Sequence, residues 1–202
     1  MSESITLHAF GDNDRSGKVR WTACELGLGI EEARLTPGDH RKPPYTELNP
    51  FAHVPTVLFR GQTLFESTAI CHTLAEAFDS PKLFVERGEP QRQQYLFWLA
   101  AFGETLEARL VECAISRAGI LGPEYFALHE HALRHKLGVL ADMLPKQGWL
   151  CGERFTIADV VGGYGARLAI QCGLVERARL EPWFSALVAR PAATQSRVFS
   201  SL

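Results

Sequence analysis

The spacing of apolar residues changes character once along this chain, and that change limits the folds open to it. Strand signals occur only before residue 80, and helical spacing alone remains after residue 90. Ile5, Leu7 and Ala9 alternate with Thr6, His8 and Phe10, as in a strand with one buried face. The turn-rich stretch Gly11–Gly17 follows, with Asp14 or Ser16 placed to cap a helix. From Lys18 to Leu26, Val19, Ala23 and Leu26 fall at helical spacing, and Gly27 and Gly29 act as stop signals. Glu31–Leu35 then reads as a second strand, parallel to the first, because a crossover helix joins the two. Val54–Phe59 predicts a strand, Arg60–Gln62 a tight turn, Thr63–Phe65 an antiparallel return, and Glu66-Ser67 the start of a helix reaching Ala77. Breaks at Ser80-Pro81 and Arg87–Pro90 end the pattern. Beyond them one long helix is predicted through Tyr95, Trp98, Phe102, Leu106, Leu110 and Val111, a second over Pro123–Met143, a third after Phe155 and a fourth near Pro182. The expectation is an α/β domain over residues 1–80 and an all-α domain over 90–202.

Charge and composition exclude several classes. Twenty-one Lys and Arg against 23 Asp and Glu give a formal net charge of −2 without any block of like charges, so no nucleic acid is expected as partner. With 46% hydrophobic and 22% charged residues, the chain can bury a core. No apolar run approaches the roughly 20 residues that cross a bilayer, and Met1-Ser-Glu-Ser lacks the basic start of a signal peptide. No membrane contact and a cytoplasmic location are the expectations. Cys24, Cys71, Cys113, Cys151 and Cys172 are odd in number and form no C-x-x-C pair, which suits buried thiols in a reducing compartment. His131 and His135 stand i, i+4, but no third ligand is placed by motif; with His129 they read as a surface helix, and no metal is expected.

The informative stretch is Asn49-Pro-Phe-Ala-His-Val-Pro-Thr-Val-Leu58 with Leu64-Phe-Glu-Ser-Thr-Ala-Ile70. It joins Val19-Arg20, Glu25-Leu-Gly-Leu28, His40-Arg41, Trp149-Leu-Cys-Gly-Glu-Arg-Phe-Thr-Ile-Ala-Asp159 and Ala189-Arg-Pro191. In this order and spacing the chain resembles the glutathione S-transferases, in particular bacterial members near the serine-type phi, theta and zeta-like classes. The resemblance implies a thioredoxin-like N-terminal domain followed by an α-helical bundle. It also implies glutathione as co-substrate, a small hydrophobic electrophile as acceptor, and a homodimer.

The chemistry of the matching residues agrees with that implication. A cis X-Pro bond turns the main chain of the preceding residue toward solvent, where a peptide can pair as an added strand. In the family the residues at Val54 and Pro55 do this for glutathione. Glu66 and Ser67 open a helix, where amides, dipole and hydroxyl suit a carboxylate and Glu66 suits an ammonium; a γ-glutamyl group presents both. The resemblance assigns His40 and Arg41 to the glycyl carboxylate and His53 to the peptide backbone. Thr156 and Asp159 fit a capping box with Phe155 as staple.

At the thiol-activating position the chain departs from the family pattern. Six residues before Val19, where these classes place a serine, stands Asn13. Asn13 is ranked first as donor to the thiolate and Ser16 second, with Arg15 an electrostatic contributor if it turns inward. The acceptor site is expected along the long helix at Phe102, Leu106, Arg109 and Cys113, with Leu110 and Arg117 nearby. The leading function is glutathione transfer to a hydrophobic electrophile, a detoxification reaction. Two alternatives remain: a glutathione-dependent disulfide reductase, peroxidase or isomerase, and a non-catalytic glutathione-binding or interaction protein.

Overall fold

The computed structural model describes residues 5–78 and 82–202. The Ser80-Pro81 break and the Met1–Ser4 start lie outside the described residues. The chain forms two compact units, one of Met1–Leu83 with Arg190–Ser201, the other centred on Phe84–Ala189.

In the first unit β1 (Ile5–Ala9), α1 (Ser16–Glu25) and β2 (Ile30–Arg34) are followed by the one-turn helix α2 (Tyr45–Leu48). Then come β3 (Thr56–Phe59), β4 (Gln62–Phe65) and α3 (Ser67–Glu76). The four strands lie in the order β2-β1-β3-β4, with β2 parallel to β1 and the other pairs antiparallel. Alternation sets the register: Leu7 faces Val57 and both are fully buried, while the intervening His8 pairs with Thr56. This thioredoxin-like sheet takes its core from Ile5, Leu7, Ala9, Val19, Ala23, Ile70 and Leu74, all at 0% exposure. Arg60 and Gly61 both have positive φ (49° and 74°), as a two-residue hairpin turn demands.

The second unit is helical: α4 (Arg92–Ala100), α5 (Glu107–Arg117), α6 (Pro123–Met143), α7 (Ile157–Gln171) and α8 (Trp183–Val188). The single long helix expected from Tyr95 onward is interrupted, because residues Ala101–Leu106 form a π-helical turn between α4 and α5. Phe102 lies in that turn, its ring stacked between Trp98 (centroids 5.6 Å apart) and Trp183 (6.3 Å). A Cβ on Gly162 or Gly165 would stand 3.0 or 3.1 Å from the Phe102 ring, so the glycines of α7 make room for it. The capping box at the start of α7 is formed, with the Thr156 amide 3.0 Å from Asp159 Oδ2. Asp159 also accepts the Leu150 amide and the Trp183 indole N–H, each at 2.9 Å. One carboxylate thereby joins the preceding loop, α7 and α8. No helix of the described residues is long and apolar enough to cross a membrane.

The last segment departs from the sequence expectation. The sequence places residues 90–202 in the helical half, yet Arg190–Ser201 belong to the first unit, and α9 (Pro191–Ser196) packs on α1. Arg190 grips Glu25 of α1 with two bonds of 2.6 Å, Val198 is fully buried, and Phe199 meets the Trp21 ring edge-on. Gly17 permits this approach, since a Cβ there would be 3.3 Å from Val198 Cγ2.

Candidate functional site

The loop leaving β1 is organised by Asp14. Its carboxylate accepts the amides of Phe10 (2.8 Å), Gly11 (3.0 Å) and Ser16 (2.6 Å), and also the Ser16 hydroxyl. The second-ranked thiol donor is therefore corrected: Ser16 is fully buried and its one hydroxyl proton is committed to Asp14. Asn13, by contrast, is exposed in this loop, directly before Asp14, and Arg15 is half-buried at the start of α1.

The second part of the site is the approach to β3. The Val54-Pro55 peptide bond is cis, and the β3 ladder begins only at Thr56, so Val54 lies outside it. Immediately before it, the His53 carbonyl accepts bonds from the Tyr45 hydroxyl (2.7 Å) and the Asn49 amide (2.9 Å). Both donors also reach the Thr56 hydroxyl, at 2.7 and 2.9 Å, while Asn49 Oδ1 accepts the Phe51 amide. Burial pushes the Tyr45 phenol up, which keeps it a donor. Tyr45, Asn49 and Thr56 thus clamp the main chain at His53. In the sequence Asn49 shows only as a lead-in to Pro50, and Tyr45 and Thr56 carry no signal, because these side chains act on the backbone. The available signal was an asparagine wedged between Leu48 and Pro50.

The third part is the start of α3. Glu66 precedes it with φ 68° and ψ 101°, a conformation that costs a non-glycine residue about 1–3 kcal/mol and clusters at functional sites. Ser67 is buried at the first helical position, beside the unpaired amides of the first turn. His53 Nε2 lies 3.5 Å from Glu66 Oε1. His40 sits in a short turn, Asp39–Arg41, where its Nδ1 accepts the Gly38 amide and its ring meets Phe10 edge-on. Partial burial, and then the neighbouring Arg41, lower its pKa.

The family model described as "Glutathione S-transferase, N-terminal domain" matches residues 15–77. Glutathione S-transferase 3 of Zea mays is 28% identical over 87% of this chain and 85% of its own length. Glutathione S-transferase 1 of Schizosaccharomyces pombe is 30% identical over 78% of this chain and 71% of its own. The chain belongs to the glutathione S-transferase family. Among solved structures, the glutathione transferase URE2P6 of Phanerochaete chrysosporium, in complex with oxidized glutathione, superposes with a TM-score of 0.82. It shares 25% identity and covers 96% of this chain and 94% of its own.

In this member of the family the expected acceptor residues are mostly core. Phe102, Leu106 and Cys113 are 3%, 0% and 0% exposed, and Leu110 is also fully buried; the π-helical turn, which carries Phe102 and Leu106, packs on α7, and α5, which carries Leu110 and Cys113, packs on α6 and α7. The sequence spacing that suggested an open site was the spacing of a packed helix face. Arg109 and Arg117 are the exposed ones, the Arg109 guanidinium on the Thr105 carbonyl at 3.2 Å and the Arg117 guanidinium 4.3 Å from the Phe126 ring. Burial pushes the thiols of Cys24 and Cys113 up, and those of Cys151 and Cys172 to about 11, so none of these four offers a ready thiolate. Among the described residues no group of three or more His, Cys, Asp or Glu could hold a metal. His129 instead pairs with Glu112 at 2.8 Å.

Proposed function

We propose that the protein is a glutathione transferase in which Val54, beside cis-Pro55, pairs with the peptide backbone of glutathione. In this reading Glu66 and Ser67 hold the γ-glutamyl end, while His40 and Arg41 meet the glycyl carboxylate. His53 contacts the ligand backbone, and Asn13 donates to the thiolate. The observation that carries the proposal is the strained Glu66, held 3.5 Å from His53 at the mouth of α3 and next to a residue left outside the sheet ladder. An ordinary helix start needs none of these together. The acceptor is a small hydrophobic electrophile, with Arg109 and Arg117 the exposed candidates among the residues expected to meet it. The protein acts in the cytoplasm as a homodimer; Phe51, 63% exposed, and Leu96 and Phe97 are apolar surface that a second copy would cover.

A specific observation favours a second reading. With Asn13 at the thiol position, and a relative solved with oxidized glutathione, glutathione-dependent disulfide reduction is the alternative chemistry. Retention on immobilised glutathione, followed by assays with a chlorinated aromatic and with a small disulfide, separates the possibilities. Retention with conjugation of the aromatic is the expected result. Disulfide activity alone replaces transfer by reduction, and absence of retention removes both.

A further inference from the structure

Asn13 is flanked in its loop by two carboxylates, and they are neutralised from different places. Asp14 is saturated by four donors from the loop and the first turn of α1. Asp12 relies on distant cations: Arg197 Nη2 is 3.1 Å from its Oδ1 and Arg34 Nη2 of β2 is 3.6 Å away. Arg197 also reaches Glu32 Oε1 at 3.6 Å. Glu32 holds Arg20 Nε at 2.8 Å, and the Arg20 guanidinium in turn donates to the Gly11 carbonyl. Arg197 stands just past α9 in the left-handed conformation (φ 60°, ψ 18°), fixed from behind by buried Val198 and by Phe199 on Trp21. The C-terminal segment therefore delivers a guanidinium to the residue next to Asn13.

We propose that Arg197 is a positioning residue for thiol activation: it neutralises Asp12 and ties the Phe10–Asp14 loop in place, so that Asn13 can meet an anionic sulfur. The inference rests on the reading that Asn13 receives the thiol of glutathione. The charged and titratable groups around this loop are Asp12, Asp14 and Arg15 within it, Lys18 and Arg20 on α1, and Glu32 and Arg34 on β2. His40 and Tyr45 face it from the segment after β2, with Arg41 beside His40, and Arg197 from the C-terminal segment. An uncompensated Asp12 would stand one residue from a thiolate and oppose its formation, because a like charge disfavours the charged form.

Ultraviolet titration of bound glutathione tests this in the full chain. Arg197→Gln is expected to raise the bound thiol pKa by about one unit, a shift typical of losing one nearby compensating charge. The change in KM for glutathione should be small, and Arg197→Lys should hold the parent value. Adding Asp12→Asn to Arg197→Gln should restore it. A merely structural Arg197 predicts no such reversal, so an unchanged pKa in Arg197→Gln, or a rise that Asp12→Asn leaves in place, overturns the proposal. If Arg197→Gln does not fold, Asp12→Asn alone should lower the pKa, and no change there has the same consequence. If the parent binds no glutathione, the transferase reading fails separately. Amide exchange then decides the positional role: faster exchange over Gly11–Ser16 in Arg197→Gln, with α3 unchanged, supports it, and equal rates remove it.

Discussion

At the scale of single residues, groups proposed to meet a ligand and groups that support the fold read differently in the sequence. Glu66, Ser67, His53 and Val54 stand out in the sequence because their types match charges and main-chain edges of a peptide ligand, which keeps them proposals, and the structure brings His53 and Glu66 within 3.5 Å. Tyr45, Asn49 and Thr56 were not, since a hydrogen bond to a carbonyl eight or four residues away leaves no pattern that composition or period reveals. Ser16 misled for a related reason: a hydroxyl near a helix start announces a donor, and only coordinates show that Asp14 has taken its proton. Asn13 is left as the side chain to test. Asn13→Ala should raise the pKa of the bound glutathione thiol and lower turnover, since a lost donor to a developing anion costs about 100- to 1000-fold elsewhere. A pH titration of thiolate absorbance reads this out; an unchanged curve would shift the role to backbone amides.

Whole elements were read well where local signals are dense. The start and end of α6 fall on Pro123 and Met143 as expected, because proline at the first turn and a continuous apolar stripe mark both. The π-helical turn at Ala101–Leu106 stayed hidden, since one added residue per turn leaves the apolar spacing of Trp98, Phe102 and Leu106 almost intact. The one-turn α2 was lost among prolines, being too short for any period. For α7 the capping residue is both legible and energetically prominent. Asp159→Ala would strip partners from the buried Leu150 amide and Trp183 indole as well as from Thr156. At about 1–3 kcal/mol for each buried group left unpaired, several kcal/mol of stability should vanish. Urea unfolding of the variant measures the loss. A midpoint equal to that of the parent would contradict the structural role, and glutathione retention by whatever fraction folds should be normal.

On the scale of the whole molecule, stability depends on pH through groups in both units. His8, on β1 beside the Tyr45 ring, has its pKa lowered by burial. Its folded value lies below the unfolded one, so its contribution is complete above pH 6.5 and is lost as pH falls through the folded value. Asp159 acts in the opposite sense. Burial outweighs its donors and pushes it up to about 6, so its neutral form contributes in full below 3.8 and that contribution is lost as pH rises through about 6. The difference in unfolding free energy between parent and His8→Leu, followed from pH 8 to pH 5, isolates the first effect. The parent should lose stability relative to the variant as acid is added, and a flat difference would show that His8 titrates normally.

The two-unit organisation was legible from the single change in apolar spacing, but the return of Arg190–Ser201 to the first unit was not. A short helix with a proline at its start looks alike wherever it docks. That return has a consequence for biosynthesis. Domains usually fold as they leave the ribosome, N-terminal first. Here the surface of α1 that accepts Val198, Phe199 and Arg190 waits until more than a hundred further residues have been translated. The first unit to be made is the last to be finished, and until then Trp21 and Glu25 are groups that a chaperone can see.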